Sequence, residues 1–195
     1  MRTTTLAKIK SFDPCSNFRN KLLLSFENTM GDDEPLPYSK ILTSCGLGDA
    51  LWATRTEGND YLWVQKLALS FARHVEHYLS DSRSMDALEV ADKFLRGEAS
   101  KKDMYTACEV ALEVYQLYAL TVNYITTVAS SHCIYYVTEV ALSDSPIDVS
   151  MYLGYTSNAA ISAAAWPNED SDGGVSEREW QAKEFLRAVS KHSSR

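Results

Sequence analysis

The sequence lacks a surplus of basic residues: its 195 residues carry 19 Lys and Arg against 26 Asp and Glu. The formal net charge of -7 argues against a nucleic-acid-binding protein, because such proteins present a basic surface to the phosphate backbone. Glycine and proline are also sparse, at 8 and 5 residues, which excludes collagen-like and low-complexity chains. With 45% hydrophobic residues, the composition is that of a folded protein.

Long purely apolar runs are missing as well. The two longest uncharged stretches, 114–138 and 149–168, contain Asn and several Ser or Thr, whose side chains are costly in hydrocarbon. The first ten residues have no apolar segment of the kind found in signal peptides. The four cysteines lie far apart and form no CxxC pair. We therefore expect a cytoplasmic protein with reduced thiols and no contact with a membrane.

Hydrophobic periodicity predicts helices along most of the chain. Apolar residues recur at helical spacing between 60 and 79. Gly97 is expected to end the next helix, and Ser100 with Asp103 to cap the one after it. The capping box Ser176-Glu-Arg-Glu179 predicts the start of a final helix. The residues expected to face the core in that helix are Trp180, Phe185, Leu186 and Val189.

The segment from Thr121 to Leu142 presents a conflict between two signals. Its apolar residues follow a helical stripe, but it is rich in β-branched residues, which favour strands. No Gly or Pro lies between Glu98 and Ser145, so a hairpin has no turn residue of the usual kind. We predict a helix for this segment, either packed antiparallel to the preceding helix or continuous with it.

These patterns indicate an all-α protein, a compact globule of about seven to nine helices without a convincing strand. Residues 1–36 are predicted to form an N-terminal arm with a short helix, and residues 37–195 the helical domain. The sequence shows no repeat of fixed period.

The sequence shows no convincing catalytic or metal-binding group. His74 and His77 are spaced to share one face of a helix, but further ligands at a suitable spacing are missing. No GxSxG motif occurs, and none of the cysteines lies in a known catalytic signature. Gly46 and Gly48 form no phosphate-binding loop and are interpreted as a turn. We expect no enzyme activity, no metal and no cofactor.

Two acidic clusters are the candidate contact residues. They are interpreted either as solvated loops or as sites of contact with a basic partner protein. An acidic surface would accelerate association with such a partner by long-range attraction. The candidate partner-binding residues are Asp32, Asp33, Glu34, Glu169, Asp170 and Asp172.

One segment resembles a sequence motif of the immunity proteins encoded beside bacterial polymorphic toxins: Cys45-Gly-Leu-Gly-Asp-Ala-Leu-Trp-Ala-Thr-Arg55. The similarity continues through 69–77, 81–88 and 91–99, and covers about residues 40–190. The resemblance implies an all-helical fold and a non-enzymatic protein that neutralises a toxin by direct contact. The chain departs from the family in its additional N-terminal residues and in its Tyr-, Thr- and Val-rich segment 114–140. The residues that carry the motif are Trp52, Arg55, Asp81 and Arg83.

Two classes of function remain open at this point. The first is a binding protein that blocks a toxin or another antagonist, including an inhibitor carried by a phage or mobile element against a host defence protein. The alternative is a small helical enzyme or ligand-binding protein with a pocket between helices, near His74, His77 or His132. The first class implies a protein target with a basic contact surface and no direct contact with nucleic acid.

Trp52 and Arg55 are expected to have a structural role. They lie three residues apart on one helix, so the guanidinium can stack on the indole. Candidate ion-pair partners for Arg55 are Asp49, Asp81 and Asp86.

Overall fold

The computed structural model describes residues 1–121, 125–165 and 172–191. In these residues the chain forms ten α-helices, nine of them of seven residues or more, and two strands of two residues each. The predicted all-α class is therefore confirmed. The strands are β1 (Thr3–Thr4) and β2 (Leu36–Pro37), and the helices are α1 (Leu6–Ser11), α2 (Ser16–Leu22), α3 (Tyr38–Cys45), α4 (Leu47–Ala53), α5 (Leu62–His74), α6 (Ser82–Leu95), α7 (Lys101–Thr121), α8 (Ile125–Leu142), α9 (Pro146–Ala165) and α10 (Asp172–Ser190).

The first 36 residues, expected to form an arm, pack against the rest of the chain. β1 pairs antiparallel with β2, and the Arg2 amide donates to the Val189 carbonyl at 2.9 Å. Leu6 and Ile9 of α1 are fully buried and belong to the same hydrophobic core as the later helices. A π-helical turn, Leu23–Glu27, extends α2.

The segment predicted as a helix despite its β-branched residues is helical where the structure describes it. Cys133, Ile134 and Val137 of α8 are completely buried, and burial of apolar side chains outweighs the small difference in intrinsic propensity. The hydroxyl of Thr138 donates to the Tyr135 carbonyl at 2.6 Å, so the helix also satisfies its buried polar side chain. Among the described helices, α8 included, none has the length and apolar character needed to cross a membrane.

Helices α7 and α8 are antiparallel. The Cys108 thiol lies 3.4 Å from a carboxylate oxygen of Glu139, and the Tyr115 ring stacks on His132. Later positions of α7 therefore meet earlier positions of α8. This antiparallel packing of the segment against the preceding helix is one of the two arrangements that the sequence leaves open.

Gln65 of α5 closes the carboxyl end of α8. Its side-chain amide nitrogen lies 3.0 Å from the Val140 carbonyl oxygen and 3.3 Å from that of Ala141. The last carbonyls of a helix have no partner within the helix. A buried side chain from a distant part of the sequence thus satisfies the end of α8.

The final helix begins earlier than predicted. α10 starts at Asp172, so Ser176 lies inside the helix and is not its N-cap. A Cβ on Gly173 would lie 2.2 Å from the Ala164 carbonyl oxygen of α9, so the two helices approach closely because both carry small residues. This packing extends α10 in front of the capping box. Among the residues expected to face the core, Phe185 and Val189 are buried and Trp180 is partly buried, whereas Leu186 is 37% exposed, which corrects that prediction.

The predicted helix ends around 97–103 are confirmed. Gly97 has φ of 78°, in the left-handed region that favours glycine, directly after α6. The Ser100 amide donates to a carboxylate oxygen of Asp103 at 3.0 Å, and the Asp103 amide donates to Ser100 Oγ at 3.1 Å. Each of the two residues caps the other, so α7 begins where the sequence indicates.

Candidate functional site

Six aromatic rings form a continuous surface feature across three helices. α7 contributes one ring, α8 contributes three at helical spacing, and α9 contributes two. Because positions three and four apart share a face of a helix, rings on neighbouring antiparallel helices meet. This feature, called here the tyrosine strip, consists of Tyr115, His132, Tyr135, Tyr136, Tyr152 and Tyr155.

Each ring of the tyrosine strip contacts the next one along the surface. Tyr115 and His132 are stacked, with centroids 4.0 Å apart and 8° between the planes. His132 is followed by Tyr136 at 4.1 Å, and Tyr136 by Tyr155 at 5.0 Å. Such contacts order the side chains before any partner is bound.

Partial burial keeps the strip uncharged at neutral pH. Loss of hydration lowers the pKa of His132, and the same effect raises the pKa of Tyr136 and of Tyr152. Five of the rings are partly buried, while Tyr155 is 43% exposed. The strip therefore presents neutral, amphipathic ring edges to solvent.

Exposed apolar side chains occur in the last turns of α7, on faces of the helix other than that of Tyr115. In the last turns of α7, after Tyr115, Leu117 is 46% exposed and Leu120 is 86% exposed. Large exposed apolar side chains are typical of surfaces that bind other proteins.

A cleft of about 330 Å³ lies between α9, α10 and α4 with the 3-10 turn that follows it, Thr54–Glu57, and Tyr155 lines the cleft as well as the tyrosine strip. Part of its wall is apolar and is formed by Leu51, Met151 and Ile161 among others. Two arginines, Arg55 and Arg178, also line it, and it is called here the arginine cleft. The remaining lining residues are Leu47, Gly48, Trp52, Ser150, Gly154, Ser157 and Asn158.

Arg55 and Trp52 have the predicted stacking geometry. The guanidinium carbon lies 3.9 Å from the centroid of the indole, and Arg55 Nε donates to the Trp52 carbonyl at 3.0 Å. Phe18 meets the same indole edge-on at 5.4 Å. Burial lowers the pKa of Arg55 from its usual value, yet a guanidinium remains protonated at neutral pH.

The expected ion pair of Arg55 is not formed in the described part of the chain. Asp49 pairs with Lys21 at 2.6 Å, and Asp81 pairs with Arg83 at 2.8 Å. Asp86 forms no ion pair with Arg55 either. The prediction of an aspartate partner was wrong because Lys21 and Arg83 pair with two of the three carboxylates.

Asp81 and Arg83 form a local cap at the start of α6. Asp81 Oδ1 accepts a hydrogen bond from the Arg83 amide at 2.9 Å, and the Arg83 guanidinium donates a second one to the same carboxylate. These hydrogen bonds lower the pKa of Asp81. The pair shares no hydrogen bond or ion pair with Trp52 and Arg55, so the four motif residues occupy two separate places.

The candidate histidines are also not brought together. His74 contacts Glu177, His77 lies against Tyr78 at 3.9 Å, and His132 belongs to the tyrosine strip. Within the described residues, no group of three or more His, Cys, Asp or Glu side chains could hold a metal ion. None of these histidines lines the arginine cleft.

A polar network connects α5, α10 and α9 beside the cleft. His74 Nδ1 lies 2.5 Å from Glu177 Oε2, and Gln181 Nε2 donates to Glu177 Oε1 at 2.9 Å. Ser157 Oγ donates to Gln181 Oε1 at 2.6 Å. Glu177 and Gln181 are 3% and 0% exposed, so their partners compensate the loss of hydration.

The first acidic cluster lies on an exposed loop beside α1. Asp32 pairs with Lys10 at 2.9 Å, and Asp33 and Glu34 are exposed to solvent. Of the second cluster, Glu169 and Asp170 lie outside the described residues. Asp172 is the first residue of α10.

Sequence reasoning missed the tyrosine strip, although a signal for it is present. Aromatic residues recur in two short groups within 132–155, and each group has the spacing of one helix face. Together with the helix predicted for 121–142, this spacing could have indicated an aromatic surface. The two groups are His132, Tyr135 and Tyr136, followed by Tyr152 and Tyr155.

The arginine cleft was missed as well, and no sequence signal links Arg55 with Arg178. Only the packing of α10, α4 and the turn Thr54–Glu57 on α9 brings these two residues to one cleft. Comparisons with protein-family models, with curated proteins and with solved structures gave no match to this chain.

Proposed function

We propose that the protein is a non-enzymatic binding protein that neutralises a toxin or other antagonist protein by direct contact through the tyrosine strip. The observation that supports this proposal is the series of ring contacts from Tyr115 on α7 to Tyr155 on α9. The class of partner, a toxin or other antagonist protein, is proposed from the resemblance of 45–55 and the later segments to immunity proteins. An inhibitor of a host defence protein, carried by a phage or mobile element, is the related form of the same proposal.

The chemistry of the strip suits a protein interface. Tyrosine is enriched among the residues that contribute most to binding, because it offers a large apolar area together with a hydroxyl group. It also has few rotatable bonds, so little side-chain entropy is lost on contact. In the strip the rings already support one another, which lowers this cost further.

The charge of the chain suits a basic partner. The net charge of -7 and the exposed carboxylates of Asp33 and Glu34 would attract such a protein over a distance of about one Debye length, roughly 8 Å at physiological salt. This attraction raises the association rate more than the final affinity. The contacts of the strip would then supply the affinity.

The test combines partner capture with a functional assay. The tagged protein is used to capture its partner from the native host, the partner is identified by mass spectrometry, and both proteins are purified. We expect the purified protein to suppress the toxicity or defence activity of that partner at a stoichiometric ratio. The variant Tyr115→Ser/Tyr155→Ser should lose this suppression while keeping its melting temperature within a few degrees.

Tyr105→Ser is the matched control, since Tyr105 lies on α7, is 53% exposed and is not part of the strip. This variant should suppress the partner as well as the unmodified protein does. Equal suppression by the double variant and the control would contradict the role of the strip. Turnover of a substrate by the purified protein would contradict the non-enzymatic assignment.

A further inference from the structure

The arginines of the described chain divide into two groups. Six of them form an ion pair with a carboxylate at 2.5 to 3.0 Å, whereas Arg55 and Arg178 form none. Both unpaired arginines line the arginine cleft. The chain is acidic, yet two guanidinium groups that pair with no carboxylate lie in the same cleft, and this arrangement requires an explanation. The paired arginines are Arg2, Arg19, Arg73, Arg83, Arg96 and Arg187.

The cleft itself contains no compensating negative charge. No Asp or Glu is among the described residues that line it. Its other polar side chains, which include Ser150, Ser157, Asn158 and Tyr155, are neutral. The two positive charges are therefore available to an anion from outside the chain.

Arg55 is held in place while its terminal nitrogens stay available. The Nε group donates to the Trp52 carbonyl, and the guanidinium plane rests on the indole. The terminal nitrogens have no hydrogen-bond partner among the described residues, and they are not buried away from solvent. A fixed guanidinium loses little freedom when it binds a ligand, and its fork matches the oxygens of a phosphate or carboxylate.

Two glycines keep the cleft open. A Cβ on Gly48 of α4 or on Gly154 of α9 would have no described atom within 4 Å other than those of its chain neighbours and of the backbone of its own helix turn. The volume of about 330 Å³ is in the range of sites for small organic ligands. The apolar walls could accommodate a compact hydrocarbon or aromatic group.

We propose that the arginine cleft binds a small phosphate monoester, with the phosphate between Arg55 and Arg178 and its organic group against Leu51, Met151 and Ile161. A phosphate monoester carries about 1.5 to 2 negative charges at neutral pH. This charge matches two guanidinium groups better than the single negative charge of a carboxylate ligand does. Asn158 can donate a further hydrogen bond to a phosphate oxygen. This binding site goes beyond the proposed function and does not depend on it.

Phenyl phosphate is the probe, because it combines the dianion with one flat apolar group. Its binding to the full chain is measured by isothermal titration calorimetry, with phenol and benzoate as comparison ligands. We expect saturable one-to-one binding of phenyl phosphate and weaker binding of benzoate and phenol. Arg178→Gln should weaken phenyl phosphate binding about tenfold or more, because a charge-assisted hydrogen bond is lost.

Arg187→Gln is the matched control, since it removes the same charge from an exposed position of the same helix. It should leave the affinity within about twofold, as a distant exposed charge is screened. Gly154→Leu should fill the cleft and abolish binding while the melting temperature stays equal or rises, because glycine is unfavourable inside a helix.

Three outcomes would overturn the proposal. The first is no heat of binding for phenyl phosphate up to millimolar concentration. The second is an equal loss of affinity in Arg178→Gln and Arg187→Gln, which would indicate a general effect of charge. The third is benzoate affinity equal to or greater than that of phenyl phosphate, which would refute the assignment to phosphate monoesters.

Discussion

The imidazole of His74 lies flat on the indole of Trp180, with ring centroids 3.7 Å apart and 4° between the ring planes. This stack places His74 Nδ1 beside the carboxylate of Glu177, which is almost fully buried. The second oxygen of the carboxylate accepts from Gln181. A buried acidic group is thus fully partnered by two helices, and α5 is tied to α10.

Removal of this carboxylate should destabilise the fold. Glu177→Ala leaves the buried amide of Gln181 without one of its acceptors, and an unsatisfied buried polar group costs about 1–3 kcal/mol. We expect a loss of unfolding free energy of that size in urea denaturation. Glu179→Ala, at an exposed position of the same helix, is the control and should stay within about 0.5 kcal/mol of the unmodified protein. Equal stability of the two variants would show that the network contributes nothing.

Trp52 should contribute to stability through its contacts with Arg55 and Phe18. Trp52→Ala removes an indole held between a guanidinium and an aromatic ring, and such substitutions cost about 3–5 kcal/mol. Because the indole is only partly buried, we expect a value near the lower end of this range. Thermal unfolding followed by circular dichroism measures the effect. An unchanged melting temperature together with lost partner binding would instead assign Trp52 to the contact surface.

His132 should make stability depend on pH. Burial lowers its pKa in the folded state, so the unfolded chain binds more protons once the pH falls below about 6.5. The contribution of His132 to stability is therefore present above that pH and decreases as the solution becomes more acidic. The difference in unfolding free energy between pH 7.5 and pH 5 should be smaller for His132→Phe than for the unmodified protein.

The same substitution at the exposed His77 serves as the control for this pH effect. His77→Phe should retain the pH dependence of the unmodified protein. If His132→Phe retains it in full as well, the ring in the tyrosine strip is not responsible.

The four cysteines should differ sharply in reactivity. Cys15 is exposed, whereas burial raises the pKa of Cys45 and of Cys108 to about 11 and also raises that of Cys133. Only the thiolate reacts with disulfide reagents, so one thiol should react rapidly in the native protein at pH 8 and four after denaturation. Cys15→Ser should abolish the rapid phase. Rapid reaction of two or more thiols would contradict the burial of the other three.

Local signals in the sequence were enough to predict the helical class and several helix ends. The end of α6 at Gly97 and the start of α7 at Ser100 and Asp103 could be predicted, because each of these capping motifs depends only on neighbouring residues. The helix at 125–142 could also be predicted, since the stripe of apolar residues is itself a local pattern.

The remaining features depend on packing between distant segments. Leu6 and Ile9 are buried by elements that follow much later in the chain, so their short segment looked like part of an arm. The start of α10 is set by the contact of Gly173 with Ala164, which no capping pattern encodes. The arginine cleft likewise exists only because α4 and α10 both pack on α9.

The position of Gln65 has a consequence for the order in which the structure can form. The α7–α8 hairpin brings together residues that are close along the chain, so it can assemble early and quickly. The Val140 carbonyl accepts from the nearby Ser143 amide at 3.3 Å, but its shorter contact and the contact of the Ala141 carbonyl come from Gln65, so both form only when α5 docks. The last turn of α8 should therefore remain frayed in any folding intermediate in which α5 is not yet packed against it. Its amides should become protected against hydrogen exchange only when this tertiary contact forms, later than the amides in the rest of the helix.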